Sequence, residues 1–138
     1  MAHPSRMAES LLRIQDLRTY FYTENGVAKA VDGVSFDIGA GETVGLVGES
    51  GCGKSVTALS LLRLVRPPGR IESGSHIVFD GTDLVTIDEK SMRAIRGARI
   101  SMVFQEPMTA LNPVFTVGDQ IAEVARVHAG ASDRKSTL

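Results

Sequence analysis

The sequence predicts a mixed fold of the α/β class, with α+β as the alternative. Residues 11–23 and 28–38 are rich in β-branched, leucine and aromatic residues. A turn at Glu24-Asn25-Gly26 lies between them, since Asn-Gly tolerates positive φ. Residues 43–47 form a short apolar segment, which a glycine-rich loop and a stretch with apolar residues at helical spacing follow. Strands followed by a strand–loop–helix unit are typical of these two fold classes.

The remaining elements are predicted from caps, turns and apolar spacing. The helix that begins near Lys54 should end before Pro67-Pro68, because proline cannot continue a helix. Asp88 and Thr116 are predicted to cap two later helices. We expect strands at residues 76–79 and 99–104, helices at 88–96 and 116–128, a proline-containing loop at 105–113, and a flexible tail at 1–10.

Composition limits the function classes. Of the 138 residues, 43% are hydrophobic and 22% are charged, as in a soluble globular domain. The net charge of −1 gives no reason to expect a nucleic-acid partner. No apolar run approaches the roughly 20 residues that cross a bilayer, and the N-terminus has no secretory signal pattern. We therefore expect a cytoplasmic protein without direct membrane insertion, and the single cysteine, Cys52, excludes an internal disulfide.

Residues 48–55, GESGCGKS, match the pattern GxxxxGK[ST] and are called the phosphate loop below. Glycines let successive N–H groups approach phosphate oxygens, and the following helix presents its positive dipole end to the same anion. Lys54 supplies a mobile charge for the β- and γ-phosphates, and the Ser55 hydroxyl can ligate Mg²⁺. The residues expected to contact ATP in this segment are Gly48, Glu49, Ser50, Gly51, Cys52, Gly53, Lys54, Ser55 and Val56.

Cys52 occupies a variable position of the phosphate loop. It is either a small filler residue or a reactive thiol, since a helix N-terminus and a nearby lysine favour the thiolate. In the second case, alkylation would block nucleotide entry and bound ATP would protect the thiol.

Two longer strings carry a family resemblance. AVDGVSFDIGAGETVGLVGESGCGKS, residues 30–55, and ISMVFQEPMTALNP, residues 100–113, resemble the ATP-binding subunits of ABC transporters. The second string is similar to the oligopeptide and dipeptide import subfamily, which also includes nickel importers. The resemblance implies a P-loop nucleoside triphosphatase fold with an N-terminal antiparallel β-subdomain, here incomplete.

The resemblance also implies roles for individual residues. Lys54 and Gln105 would be catalytic, with Gln105 as the glutamine of the Q-loop, and Ser55 and Gln105 would contact Mg²⁺. Phe21 corresponds to the aromatic residue that stacks on adenine, although a one-residue shift would give that role to Tyr20 or Tyr22. Implied partners are transmembrane permease subunits, contacted through the Q-loop region, and a second nucleotide-binding subunit at the inner face of the membrane.

The sequence departs from this family after the Q-loop. It contains no LSGGQ-like signature, no apolar strand that ends in Asp-Glu, and no switch histidine. Because phosphoryl transfer needs several such parts together, we expect this chain alone to hydrolyse ATP slowly or not at all. Residues 11–138 are interpreted as the N-terminal portion of a nucleotide-binding domain that powers peptide import. The alternatives are a nucleotide-binding fragment without turnover or another P-loop ATPase, and the sequence does not identify the transported solute.

Overall fold

The computed structural model describes residues 10–105 and 111–129, except for the side chain of Ala129. The described residues form two compact units, one up to Arg93 and one from Ala94 onward. All of the predicted tail except Ser10 lies outside the described residues, as do positions 106–110 of the proline-containing loop. No helix in the described part of the chain is long and apolar enough to cross a membrane.

A long antiparallel hairpin dominates the first unit. Strands β1 (Ser10–Thr23) and β2 (Gly26–Gly39) pair along their whole length around the predicted Asn-Gly turn. The register shifts near Leu17 and again near Thr19, and β2 passes Gly33 with a φ of +81°. The predicted strand–turn–strand unit is therefore confirmed, with irregularities that the sequence does not reveal.

The opposite edge of β1 pairs with two shorter strands. β3 (Gly69–Ile71) pairs with residues 19–21 of β1, and β4 (His76–Phe79) pairs with residues 12–15, both antiparallel. β4 turns at Asp80-Gly81 into β5 (Thr82–Asp83), so the main strand order is β2-β1-β4-β5. Apolar side chains from the sheet and its connections are fully buried in this unit: Ile14, Leu17, Ile77, Leu84 and Met92.

Helix α1 (Lys54–Leu61) packs on this sheet and begins with the last two residues of the phosphate loop. The Thr19 and Ser60 hydroxyls, both on fully buried residues, lie 2.8 Å apart, and Ser60 also donates a 2.7 Å hydrogen bond to the Val56 carbonyl. Buried hydroxyls need such partners. The helix ends before Pro67, as predicted.

The two later helices begin at the predicted caps. The Asp88 carboxylate accepts a 2.8 Å hydrogen bond from the Ser91 amide at the start of α2 (Glu89–Ile95). In the second unit, the Thr116 hydroxyl accepts a 3.2 Å hydrogen bond from the Asp119 amide at the start of α3 (Val117–Ala129). Both bonds satisfy an N–H group that a helix end leaves without an intrahelical partner.

Two predicted strands are absent, and those predictions were wrong. Residues 43–47 and 101–104 have no regular secondary structure, and Ile100 makes only an isolated parallel bridge to Arg96. Val47 is 90% exposed and Val103 is 96% exposed. An apolar segment becomes a buried strand only when strands pair on its edges, and no strand of the described residues pairs with either segment.

Candidate nucleotide-binding site

The phosphate loop lies exposed at the start of α1. Gly53 is the residue before the helix, in the left-handed region with a φ of +92°, and no side chain caps the helix there. The first α-helical hydrogen bond of α1 runs from the Thr57 amide to the Gly53 carbonyl, at 2.8 Å. The preceding amides, those of Lys54 to Val56, therefore have no intrahelical acceptor and are available to an anion.

Gly53 also needs to be glycine because of its neighbour on β2. A Cβ at Gly53 would lie 2.2 Å from the carbonyl oxygen of Ala30, which is backbone and cannot move aside easily. The left-handed φ adds a conformational penalty for any other residue. The close approach fixes the end of the phosphate loop against the hairpin.

The Lys54 ammonium group bonds to the loop itself. It donates to the carbonyls of Gly48, at 2.7 Å, and Glu49, at 2.6 Å, and lies 3.3 Å from the Cys52 sulfur. The charge is therefore held beside the same loop whose helix-end amides have no intrahelical acceptor. A lysine ammonium in this position provides a point charge for phosphate oxygens.

Cys52 packs against the first glycine of the phosphate loop. A Cβ at Gly48 would lie 2.5 Å from the Cys52 sulfur, so the thiol occupies the space that a side chain at Gly48 would need. Cys52 is nevertheless exposed. The geometry agrees with a filler residue and leaves the thiol accessible, so the two alternatives for Cys52 remain open.

The aromatic residues of β1 divide between the two faces of the sheet. Successive side chains of a strand point to opposite faces, so Phe21 shares the face of Thr19, which contacts Ser60 of α1. Tyr20 donates a hydrogen bond to Asp32, and Tyr22 donates one to Glu72 at 2.8 Å. Phe21 is thus the only one of the three on the α1 face, where the phosphate loop ends.

Charged neighbours hold both tyrosines in place. The hydrogen bond to Asp32 raises the pKa of Tyr20, and the hydrogen bond from Tyr20 helps to lower the pKa of Asp32. The Arg70 guanidinium carbon lies 4.1 Å from the centroid of the Tyr22 ring, a cation–π contact. The tyrosines are therefore engaged on the face that does not carry α1.

The predicted metal and catalytic residues are divided between the two units, with Lys54 and Ser55 in the first and Gln105 in the second. Ser55 is exposed in the first turn of α1, whereas Gln105 is the last described residue before positions 106–110 and belongs to the second unit. Within the described ranges, no cluster of three His, Cys, Asp or Glu residues could hold a metal ion. An exposed hydroxyl still suits Mg²⁺, which takes few protein ligands beside phosphates and waters.

Sequence reasoning missed two backbone neighbours of the site. Ala30 contacts Gly53 through its carbonyl, and Gly69 lies under Phe21 across the β1–β3 pair. Neither has a chemical group that a motif search detects. A glycine after proline is typical of a turn in a sequence, so the contact of Gly69 with the Phe21 ring is seen only in the folded structure.

Comparison with known proteins decides the family. The model of the ABC transporter family matches residues 31–137. The chain belongs to the ABC transporter family. The predicted resemblance is therefore confirmed, and the alternative of a P-loop ATPase outside this family is excluded.

Relatives of this ABC transporter chain are named as ATP-binding proteins for peptide, dipeptide or peptidoglycan transport. It is 50% identical to a "Probable peptide ABC transporter ATP-binding protein" of Sinorhizobium fredii, and 49% identical to the dipeptide transport ATP-binding protein DppD of Bacillus subtilis. It is 47% identical to the peptidoglycan transport ATP-binding protein YejF of Agrobacterium fabrum. The alignments cover 91%, 91% and 94% of this chain but only 37%, 38% and 24% of those proteins.

Solved structures confirm the fold. The chain matches the ATP-binding cassette MJ0796, in a dimeric post-hydrolysis state with ADP and Pi, with a TM-score of 0.76 at 23% identity. The match covers 92% of this chain and 54% of that one. The predicted nucleotide-binding fold is thus present as an incomplete domain, an antiparallel sheet with helices.

Proposed function

We propose that this ABC transporter chain forms the nucleotide-binding part of an ATP-binding subunit that powers peptide import. The observation that carries the proposal is the exposed phosphate loop, with free helix-end amides and the Lys54 ammonium beside it. The 49–50% identity to ATP-binding proteins named for peptide and dipeptide transport supports the cargo class. The relatives' names differ in cargo, so this part of the subunit does not specify the solute.

Each residue has a distinct task in this proposal. The loop amides bind the phosphates of ATP, and the Lys54 ammonium leaves its carbonyl acceptors to bind the β- and γ-phosphates. The Ser55 hydroxyl would hold Mg²⁺, and the bound metal would neutralise phosphate charge. In the complete subunit, Gln105 would supply a further oxygen ligand to Mg²⁺ and would orient the attacking water, and Phe21 would stack on adenine.

The proposed partners follow from the same assignment. Permease subunits in the membrane contact the Q-loop region around Gln105, and a second nucleotide-binding subunit completes the ATP site. The subunit is then held at the inner face of the membrane through these partners. Residues 106–138 contain no Asp-Glu pair, and we propose that these 138 residues bind Mg-ATP but do not turn it over alone.

Calorimetric titration of Mg-ATP tests this function. Lys54→Ala should weaken binding roughly 10- to 100-fold, because hydrogen bonds to a charged group are lost. Lys90→Ala is the matched control, since Lys90 is an exposed lysine on α2 outside the phosphate loop. Equal affinity in wild type and Lys54→Ala would contradict the proposal, and ATP hydrolysis by the 138-residue chain would contradict the lack of turnover.

A further inference from the structure

The ring of Phe21 rests on a glycine of the neighbouring strand. A Cβ at Gly69 would lie 2.6 Å from Cε1 and 2.9 Å from Cδ1 of Phe21, closer than real contacts allow. The same Cβ would lie 2.7 Å from Cγ1 of Val65. Gly69 is buried and Phe21 is half-buried, so the ring lies over the glycine and beside the valine while part of its surface remains exposed.

The backbone around Gly69 is fixed by hydrogen bonds. The Tyr22 amide donates a 3.0 Å hydrogen bond to the Pro68 carbonyl, and the Gly69 amide donates a 2.8 Å hydrogen bond to the Arg66 carbonyl. Gly69 does not have a positive φ, unlike eight other glycines, so its backbone conformation suits any residue. Glycine is therefore needed for space and not for conformation, and an added methyl group would displace the Phe21 ring before it displaced the strand.

We infer that Gly69 and Val65 are positioning residues for the adenine-stacking ring of Phe21. This inference rests on the proposed function, since it needs ATP to bind at the phosphate loop with its base on Phe21. Stacking depends on the offset and tilt of the two rings, so a fixed ring costs less ordering when the base binds. The glycine sets the height of the ring above the sheet, and the valine limits its lateral movement.

The affinity ratio between Mg-ATP and Mg-tripolyphosphate isolates this role. Tripolyphosphate carries the phosphates but neither ribose nor base. The dissociation constant of Mg-tripolyphosphate divided by that of Mg-ATP therefore measures the contribution of the adenosine, and a fall of this ratio in a variant at the Phe21 contact reports a weaker contact with the base. Phe21→Ala should reduce this ratio roughly 5- to 100-fold, the range found for base stacking. Gly69→Ala should reduce it about 3- to 10-fold and Val65→Ala about 2- to 3-fold, with the tripolyphosphate affinity unchanged in both.

Arg70→Ala is the matched control on the same strand. Arg70 is exposed and contacts Tyr22 on the other face of the sheet, so this change should leave the ratio unaltered. Circular dichroism and thermal melting check that each variant folds. A purely structural role for Gly69 would weaken both ligands together, whereas a positioning role weakens Mg-ATP alone. If Gly69→Ala does not fold, Val65→Ala decides the question.

The outcomes separate the inference from the proposed function. If neither ligand binds the wild type, or if Lys54→Ala changes neither affinity, the proposed function fails and the inference fails with it. If Phe21→Ala lowers the ratio while the folded variants at Gly69 and Val65 keep the wild-type ratio, the positioning inference alone is overturned. A lower ratio in these variants, with unchanged tripolyphosphate affinity, supports it.

Discussion

The antiparallel sheet and the segments at residues 43–47 and 101–104 have similar local sequence but different structures. In the sheet, β1 pairs with β2, β3 and β4, and Leu17 is fully buried. In the two segments, apolar residues are exposed and no strand of the described chain pairs with them. A short turn places β2 directly beside β1, whereas no such turn joins residues 43–47 or 101–104 to a pairing strand of the described residues. Apolar composition predicts a strand, but pairing decides whether it forms.

Truncation of one leucine in each region should give the largest contrast. Leu17→Ala removes a fully buried side chain from the sheet and should lower the free energy of unfolding by about 2–5 kcal/mol. Leu46→Ala removes a side chain that is 48% exposed, so its cost should stay below about 1 kcal/mol. Urea unfolding of both variants measures the difference. Equal losses would mean that residues 43–47 belong to a buried core after all.

The hydroxyl pair between β1 and α1 should give the next largest effect. Thr19→Val leaves the shape of the side chain but removes the partner of Ser60, and should cost about 1–3 kcal/mol. Thr23→Val is the control, because the Thr23 hydroxyl donates to the Gly26 carbonyl at an exposed position. A double-mutant cycle with Ser60→Ala should show coupling. Additive losses would indicate that α1 is held to the sheet by other contacts.

A smaller, pH-dependent effect is expected at the β4–β5 hairpin. Partial burial tends to raise the pKa of Asp83, but hydrogen bonds from His76, Val85 and Ile77 outweigh it and lower the pKa below its usual value. Because the pKa of Asp83 is lower in the folded state, its ionised carboxylate stabilises the fold at any pH above the pKa of the unfolded chain, about 3.9. This stability is lost as the pH falls through the pKa of the folded state.

Asp83→Asn should therefore destabilise the chain by roughly 1 kcal/mol at neutral pH, and the difference from wild type should shrink below about pH 4. Urea unfolding of wild type and Asp83→Asn at neutral and acidic pH measures this difference in the free energy of unfolding. A difference that is constant with pH would show that the carboxylate charge does not contribute.

The smallest effect concerns the face opposite α1. Tyr22→Phe removes a hydroxyl that bonds to Glu72 on the exposed side of the sheet, so Mg-ATP affinity should not change. Calorimetry of Tyr22→Phe beside Tyr22→Ala measures this. A several-fold loss in Tyr22→Ala would assign the base to a tyrosine and contradict the placement of Phe21.

Elements defined by local chemistry were predictable from the sequence. The turn at Glu24-Asn25-Gly26, the Asp88 cap and the Thr116 cap each depend on residues within a few positions, and the structure has all three, with β2 beginning at Gly26. The loop at residues 48–53 and the helix that begins at Lys54 were predictable for the same reason, since the glycines, lysine and serine are contiguous, while phosphate binding stays a prediction. β3 and β5 were missed because two or three residues carry no measurable periodicity.

Features that depend on distant contacts were not predictable. The exposed state of residues 43–47 follows from the lack of a pairing strand within the described residues, which local composition does not encode. The approach of Gly53 to Ala30 and the position of Gly69 under Phe21 join residues far apart in the chain. The carbonyl contacts of Lys54 likewise depend on the path of the loop and not on its motif.

Amide hydrogen exchange of the 138-residue chain, with and without Mg-ATP, tests the central claim most directly. We expect slow exchange in β1, β2 and β4 in both conditions, fast exchange at residues 43–47 and 101–104 without nucleotide, and new protection over residues 48–56 when Mg-ATP is added. Protection of residues 43–47 equal to that of β1, or no change over 48–56 with saturating Mg-ATP, would contradict a phosphate loop carried by a paired antiparallel sheet.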